Sequence, residues 1–476
     1  MLIADWLWHA AREEPQFPFF VEATGAVISR RAFADRIARL QDRLTALGVA
    51  PGQLVALRLR EDASGVAVLL AVLGIGARGL ILNRRLPPGR QRELGIQAGV
   101  HGWIQDHREN PVEEVRSLIF AELPPMDLQV RPAVGGPSGS IPPPSVLSED
   151  AQILLATSGS SGPPKLAALT WKALVASARA ANARIPQGPG DLAWMSLPLY
   201  HVGGLGILVR AMLAGSALGE GGPQVKTPPP GVTHFSAVPS QLATWSPPSL
   251  QSAKSILLGG APLPIGKWKD LLSRGLPLYA SYGLTEMASM VATSRLRPED
   301  ADTGVVYAEP VERAEVRIAL NGEILVRGPS LFSGYLEPAG LRRPEVEGGF
   351  FPTGDTGELD DRGSLRVTGR LDFLIISGGE NIRPEGVESE MQRLNGVEEA
   401  VVVGVPDERW GSRPWAFVRA SLPEEELRQL LLERLPSYMV PDRFLPWPAD
   451  LTAGMKVPRA ALRDLAVRLA REKNNG

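Results

Sequence analysis

The chain has 476 residues, 44% of them hydrophobic and 21% charged, and its 50 Lys plus Arg nearly balance its 52 Asp plus Glu for a net charge of −2. That length exceeds one ordinary core, so two or more domains are expected, and the balanced charge gives no electrostatic footprint for nucleic acid. Without Cys there can be no disulfide, thiolate metal site or Cys nucleophile, and five histidines (His9, His101, His107, His201 and His234) argue against a multi-His metal site.

Met1 to Phe20 carries acidic residues and prolines where a signal peptide would be apolar. The longest apolar run, Val66 to Ala77, is too short to span a bilayer. These features lead us to expect a cytoplasmic protein with no stable membrane insertion; a homo-oligomer is compatible with the sequence. Phe33, Ile37, Leu40, Leu44 and Leu47 make one apolar helix face that stops at Gly48. Leu54 to Leu59 reads as a strand, Val66 to Leu73 as a buried helix and Gly79 to Asn83 as the next strand, the order of a parallel sheet. Pro124 to Pro144, rich in Pro, Gly and Ser, reads as a mobile surface connector.

Ile153 to Ala156 reads as a buried strand. It runs into Thr157, Ser158, Gly159, Ser160, Ser161, Gly162, Pro163, Pro164 and Lys165, and then into an apolar, helix-compatible run from Leu166. Glycines let backbone N–H groups form an anion-binding nest, hydroxyls add donors, and Lys165 adds a mobile positive charge. A polyphosphate is the natural guest. A flexible Ser/Gly linker would not sit directly against a strand and end in Pro-Pro-Lys. A Walker-type loop needs four residues between its last two glycines and Ser or Thr after its Lys. Gly159 and Gly162 are too close for that, and Leu166 follows Lys165.

Further short apolar runs each end in a marked loop: Trp194 to Pro198, His234 to Pro239, Ser255 to Gly260 and Leu278 to Gly283. This is the layout of an α/β core with functional residues at strand ends. From Glu315 short alternating strands joined by Asn321-Gly322 and Asp361-Arg362-Gly363 suggest a small antiparallel barrel-like module over 303–368. A last segment carries a helix (Pro384 to Leu394), two strands (Ala400 to Val405, Trp415 to Val418) and a helix (Pro423 to Leu435). The expected plan is α/β: residues 1–370 as a large N-terminal domain of parallel-type sheets flanked by helices, with the barrel module inside it, and 371–476 as a small mobile α+β lid.

The run Thr157 to Lys165 resembles the phosphate loop of the acyl-adenylate-forming (AMP-binding) superfamily, whose members include acyl-CoA ligases, luciferases and adenylation domains of peptide synthetases. The other motifs follow in order from about residue 20 to 470. Leu197-Pro198-Leu199-Tyr200-His201 is similar to the element whose His lies at the acyl and phosphate junction. Gly259-Gly260-Ala261-Pro262 resembles the stretch bordering the adenine and acyl pockets, with Ser281 close by in sequence to Tyr282-Gly283-Leu284-Thr285-Glu286, itself a match to the Tyr-Gly-x-Thr-Glu motif. The resemblance implies Tyr282 stacking on adenine, Thr285 bonding a phosphate oxygen and Glu286 holding Mg²⁺. Asp355 and Arg370 resemble the ribose clamp, and Asp372 the hinge. Ser377 to Glu385 resembles the loop that faces the site during a thiol step. Leu451 to Arg459 resembles the catalytic-lysine element, with Lys456 as that lysine; the usual Gly directly before it is replaced by Met455, and Gly454 lies one position off.

The resemblance implies an enzyme using ATP, Mg²⁺ and coenzyme A. A carboxylic acid is joined to AMP, and a thiol then displaces the AMP. Free CoA is the expected acceptor, because the chain ends twenty residues after Lys456. No carboxylate stands beside His201 to pair with an amine, which argues against an α-amino acid. Residues 197 to 210 look most like the 2-succinylbenzoate–CoA ligases of menaquinone biosynthesis. Arg210 is then the candidate for the substrate's second carboxylate, with a structural ion pair as its ordinary alternative. An aryl- or fatty-acyl-CoA ligase competes on substrate. A noncatalytic nucleotide-binding relative competes on class, against the presence of Lys165, Glu286, Asp355, Arg370 and Lys456.

Overall fold

The computed structural model describes residues 3–106, 118–119, 128–132, 151–157, 164–222, 225–242, 245, 250–260, 265–303, 305–448 and 459–474. Two nine-stranded sheets dominate. One has a parallel centre of Pro18–Val21, Ala217–Gly219, Leu192–Trp194, His234–Ala237, Ser255–Leu258 and Leu278–Leu284. Its flanks, Val27–Ser29, Ser289–Arg295 and Glu309–Pro310, are antiparallel. The other is parallel through Gly102–Asp106, Leu54–Arg58, Arg78–Ile81 and Ala151–Thr157. The helices Ala63–Gly74, Trp171–Arg184 and Val202–Ala214 share one continuous core with strands of both sheets, among them Leu57, Ile81, Phe20, Ala193 and Leu218. Helix Ala63–Gly74 is apolar all round and buried from Val66 to Leu73, as a helix between two layers must be. No described helix is long and apolar enough to cross a membrane.

Two expectations change. The run from Leu166 is a strand, Lys165–Thr170, paired antiparallel with Ala151–Thr157. Leu and Ala favour helix in isolation, but a hairpin across the loop buries Leu166 to Leu169 completely, and tertiary context overrides propensity. Within the supposed connector, Leu128–Pro132 is a strand on Gly102–Asp106; Leu128 and Val130 alternate with Gln129 and Arg131 at the period of two that a strand needs. The rest of that stretch lies outside the described residues. The antiparallel module expected after Glu315 is present, as a four-stranded sheet of Glu315–Ile318, Glu323–Arg327, Phe351–Leu359 and Leu365–Arg370. The hairpin Gly334–Glu337 and Gly340–Arg342 leaves it and joins the second large sheet beside Lys165–Thr170.

The C-terminal part is a five-stranded sheet built on the long hairpin Val397–Asp407 and Gly411–Ala420, with Arg443–Pro446 parallel at one side. Helices Pro384–Gln392 and Glu424–Leu432 pack on one face, through Val387, Met391, Leu427 and Leu431, and Arg459–Asn474 on the other, through Leu462 and Ala466.

Candidate active site

Thr157, His201, Gly260 and the run from Tyr282 lie at or beyond the carboxyl ends of parallel strands, where open α/β sheets place ligands, while Asp355 and Arg370 come from the small antiparallel sheet. Gly260 follows Ser255–Leu258 at φ 79°, a backbone that suits glycine, and a Cβ there would lie 3.3 Å from Val238. The neighbouring strand brings Ser281 alongside, its hydroxyl donating to the Leu258 carbonyl at 3.0 Å. Gly283 has no room for a side chain: a Cβ would sit 1.8 Å from the Ser289 carbonyl oxygen. That close return lets the chain pass through the single turn Thr285–Met287 and reverse into Ser289–Arg295. The reversal holds Ala288 at φ 49° and Ser289 at φ 113°. Such conformations cost non-glycine residues on the order of 1–3 kcal/mol each and persist only where the surroundings impose them.

Two clusters follow from this geometry. In the first, the Tyr282 hydroxyl donates to Asp355 at 2.7 Å, and Arg370 reaches Asp355 at 2.6 Å and Asp372 at 3.1 Å. Asp355 and Arg370 face each other across neighbouring strands, so sheet register sets the pair. Burial, and then Asp355, push the Tyr282 phenol well above its ordinary range, which keeps it a donor. Burial alone would lower the Arg370 guanidinium, yet Asp355 and Asp372 carry it above the ordinary arginine value.

The second cluster joins Lys165, Glu286 and Tyr335. The Tyr335 hydroxyl donates to Glu286 at 2.5 Å, and the Lys165 ammonium lies 5.0 Å from the centre of the Tyr335 ring. The Glu286 carbonyl accepts from the Phe332 N–H at 2.8 Å. Thr157 and Lys165 are cross-strand partners at the mouth of the loop between them, and the Thr157 hydroxyl donates to the Lys165 carbonyl at 3.2 Å. A carboxylate and an ammonium beside a loop mouth suit a magnesium–polyphosphate group: Mg²⁺ takes one or two carboxylates plus phosphate and water oxygens, and Glu286 keeps one oxygen clear of the Tyr335 bond. Among the described residues no group of three acidic or His side chains could hold a metal by itself.

His201 caps helix Val202–Ala214 from an extended backbone, exposed and with its ring 4.7 Å from that of buried Tyr200. Its loop is tied to the other large sheet. Glu61, 2% exposed, accepts from the Leu199 N–H at 3.2 Å and pairs with Arg84 at 3.1 Å. On the same helix, Arg210 donates to the Ser236 hydroxyl at 2.9 Å and the Gly206 carbonyl at 3.1 Å. No carboxylate pairs with it among the described residues, so the structural ion pair allowed for in the sequence is not found. Burial pulls its guanidinium down to about 10.

Ser158, Gly159, Ser160, Ser161, Gly162, Ala261, Pro262 and Lys456 lie outside the described residues. Arg459, three residues after Lys456, is held by Glu388 at 2.6 and 2.9 Å and lies 4.9 Å from the Phe373 ring, next to Asp372. Tyr335 and Glu61 were not singled out in the sequence. Gly334-Tyr335 sits in a segment that reads as one more hairpin, and Glu61 reads as a surface charge; neither carries a local signal of its long-range partner.

The chain belongs to the AMP-binding enzyme family: that family's model matches residues 7–336, and the model of the AMP-binding enzyme C-terminal domain matches 386–452. It is 32% identical to the 2-succinylbenzoate–CoA ligase of Salmonella typhimurium, over 97% of this chain and 98% of that one. The enzyme of that name from Listeria monocytogenes (strain F2365) is 30% identical over 96% and 97%. Among solved structures, a variant of Escherichia coli MenE with bound OSB-AMS superposes at a TM-score of 0.80 with 28% identity, covering 98% of this chain and 99% of that one. The Bacillus subtilis o-succinylbenzoate CoA synthetase in complex with ATP and magnesium superposes at 0.76 with 25% identity, covering 96% and 99%.

Proposed function

We infer that this chain is an ATP-dependent acid–CoA ligase whose acid is 2-succinylbenzoate, acting in the cytoplasm in menaquinone biosynthesis. The observation that carries the choice of acid is Arg210, a half-buried guanidinium with polar neighbours and, among the described residues, no carboxylate partner. A buried charge without a counter-ion is costly, and a substrate carboxylate is the partner that relieves the cost. Relatives named for that acid, matched over nearly their whole length, support the same reading.

In the first half-reaction a carboxylate oxygen of the acid attacks the α-phosphorus of ATP, forming the acyl-adenylate and releasing pyrophosphate. Acid and triphosphate are both anionic, so the residues must supply positive charge and hold the reactants in line. The loop 157–165 holds the β- and γ-phosphates with its hydroxyls, its N–H groups and Lys165. Magnesium, when bound at Glu286, neutralises phosphate charge. Thr285 bonds a phosphate oxygen. Tyr282 stacks on adenine with Gly260, Ala261 and Pro262 around it, and Asp355 and Arg370 take the ribose. His201 orients the reacting carboxylate, Ser281 and Gly260 border the acyl group, and Lys456 bridges carboxylate and α-phosphate. In the second half-reaction the CoA sulfur attacks the acyl carbon and AMP leaves. Residues 371–476 turn about Asp372 as a lid on the body 1–370, so that the same carbon meets different neighbours in each half.

The test is pyrophosphate release from ATP with a panel of aromatic, aliphatic and dicarboxylic acids, followed by thioester detection with CoA. Turnover restricted to 2-succinylbenzoate is expected. Equal turnover of acids lacking the second carboxylate would remove the assignment of substrate and leave that of the ligase.

A further inference from the structure

We propose that Tyr335 is a positioning residue for the triphosphate end of the site, fixing the Glu286 carboxylate with its hydroxyl and the Lys165 ammonium with its ring. The proposal rests on the reading of Glu286 as the magnesium-side carboxylate and of Lys165 as a phosphate contact.

The geometry is convergent. Tyr335 comes from the hairpin that departs from the small antiparallel sheet, and its strand pairs with the strand that begins at Lys165: Tyr335 stands opposite Ala167 and Leu336 opposite Leu166. That register brings its ring under the lysine, 5.0 Å from the ammonium, the span of a cation–π contact. The hydroxyl end reaches a third element and donates to Glu286 at 2.5 Å. The ring cannot drift, because it is 7% exposed and packs edge-on against fully buried Phe332 at 4.9 Å. Phe332 in turn donates its N–H to the backbone carbonyl of Glu286 at 2.8 Å, so both ends of Glu286 are held by one short stretch of chain.

Each bond has a chemical consequence. A carboxylate with one oxygen engaged by a neutral hydroxyl offers its other oxygen in a fixed direction, which is what a metal with a strict octahedral preference requires. The phenol hydroxyl is a neutral donor, so it orients Glu286 without bringing a charge of its own to the metal side. Lys165 is exposed and flexible, and a ring contact keeps its ammonium near the loop mouth before ATP arrives.

The experiment compares wild type, Tyr335→Phe, Tyr335→Leu and Glu286→Gln in the full-length protein. ATP binding is measured by calorimetry without acid, across a magnesium titration, and thermal stability is recorded on the same samples. Tyr335→Phe keeps the ring and loses the hydroxyl. It should raise the magnesium concentration needed for half-maximal ATP binding about tenfold, the scale of losing a partner that orients a metal ligand, with little change in melting temperature. Tyr335→Leu should add a loss of ATP affinity that saturating magnesium does not restore. Glu286→Gln should shift the magnesium dependence at least as far as Tyr335→Phe. If Glu286→Gln shifts it and Tyr335→Phe does not, the positioning role is wrong and the metal reading stands. If Glu286→Gln shifts nothing, both fall together. A Tyr335→Phe variant that is merely less stable, with wild-type magnesium dependence, also overturns the proposal.

Discussion

Two arginines stand in opposite electrostatic states. Arg370 is bracketed by Asp355 and Asp372, and those carboxylates carry its guanidinium above the ordinary value despite burial. Among the described residues Arg210 has a serine hydroxyl and a carbonyl as partners, and burial pulls it down to about 10. The first is a finished clamp whose charge is balanced within the protein. The second is a half-made ion pair whose other half is not found among the described residues. A nucleotide common to a whole family can be met by a prebuilt frame whose cation is already paired within the protein. A particular acid is selected by leaving a charge for it to complete.

The sharpest break of that comparison lies outside both arginines. Lys456→Ala should lower adenylate formation by roughly 10³-fold, the scale of removing one preorganised charge from a transition state. It should spare thioester formation from supplied acyl-adenylate, measured by single-turnover assay. Equal loss of both halves would end the division of labour between the two lid orientations.

Next in size is Arg210→Met. It should lower kcat/KM for 2-succinylbenzoate by roughly 30-fold or more, since leaving one partner of a buried charge pair unmet costs about 2–5 kcal/mol. The same variant without ligand should melt higher than wild type, because a half-buried cation with no carboxylate partner among the described residues has been replaced by an apolar side chain. Arg370→Met should do the reverse, melting lower, since it leaves Asp355 unbalanced. The pH dependence follows from the same asymmetry. The folded-state pKa of Arg210 lies below the unfolded one, so the folded protein gives up this proton first. Holding the cation therefore costs stability at neutral pH, and the cost is relieved as pH climbs through about 10 towards the ordinary arginine range. Acid binding runs the other way: KM for the dicarboxylate should rise above pH of about 10 while KM for ATP does not follow it.

On the clamp side, Asp355→Asn should raise KM for ATP about tenfold to a hundredfold, the worth of one or two hydrogen bonds to a charged group, with kcat for bound ATP less affected. Isothermal titration of ATP into the variant checks it. An unchanged affinity would mean that the Tyr282–Asp355–Arg370 chain serves only the fold.

How far these features can be read from sequence depends on whether their cause is local. The loop from Thr157 to Lys165, the Tyr-Gly-x-Thr-Glu run and the hairpin turns at Asn321-Gly322 and Asp361-Arg362-Gly363 are local, since a glycine or a hydroxyl does its work within a few residues. The strand from Lys165 was hidden because Leu-Ala-Ala-Leu favours a helix until the partner strand is present to bury it. The departure of Gly334–Glu337 from its own module to the far sheet was hidden for the same reason, and Tyr335 with it. Arg210 was visible only as a candidate. Its nine-residue separation from His201 on one helix says nothing about whether a carboxylate from another strand meets it; among the described residues none does.

The smallest effect belongs to Glu61, and it tests whether the acyl loop needs a brace at all. Glu61 follows one sheet's strand, Arg84 follows the next strand of that sheet, and together they hold the Leu199 N–H that leads to His201 on the other sheet. Burial raises the Glu61 carboxyl above its usual range, against the pull of Arg84. The folded state therefore favours the protonated form, and the stability this residue contributes is lost as pH rises through its folded pKa. Glu61→Gln keeps the acceptor oxygen and the shape and removes that titration, so its melting temperature relative to wild type should improve as pH rises. Its kcat should fall only a few-fold, well under the roughly hundredfold that a misplacement of about 1 Å costs, and KM for ATP should not move. Glu61→Leu, which removes the acceptor, should cost kcat more while still sparing KM for ATP. Were both variants to leave kcat untouched, the loop would be held by the turn at Pro198 and Gly204 alone, and the buried pair would be a matter of folding rather than of acid orientation.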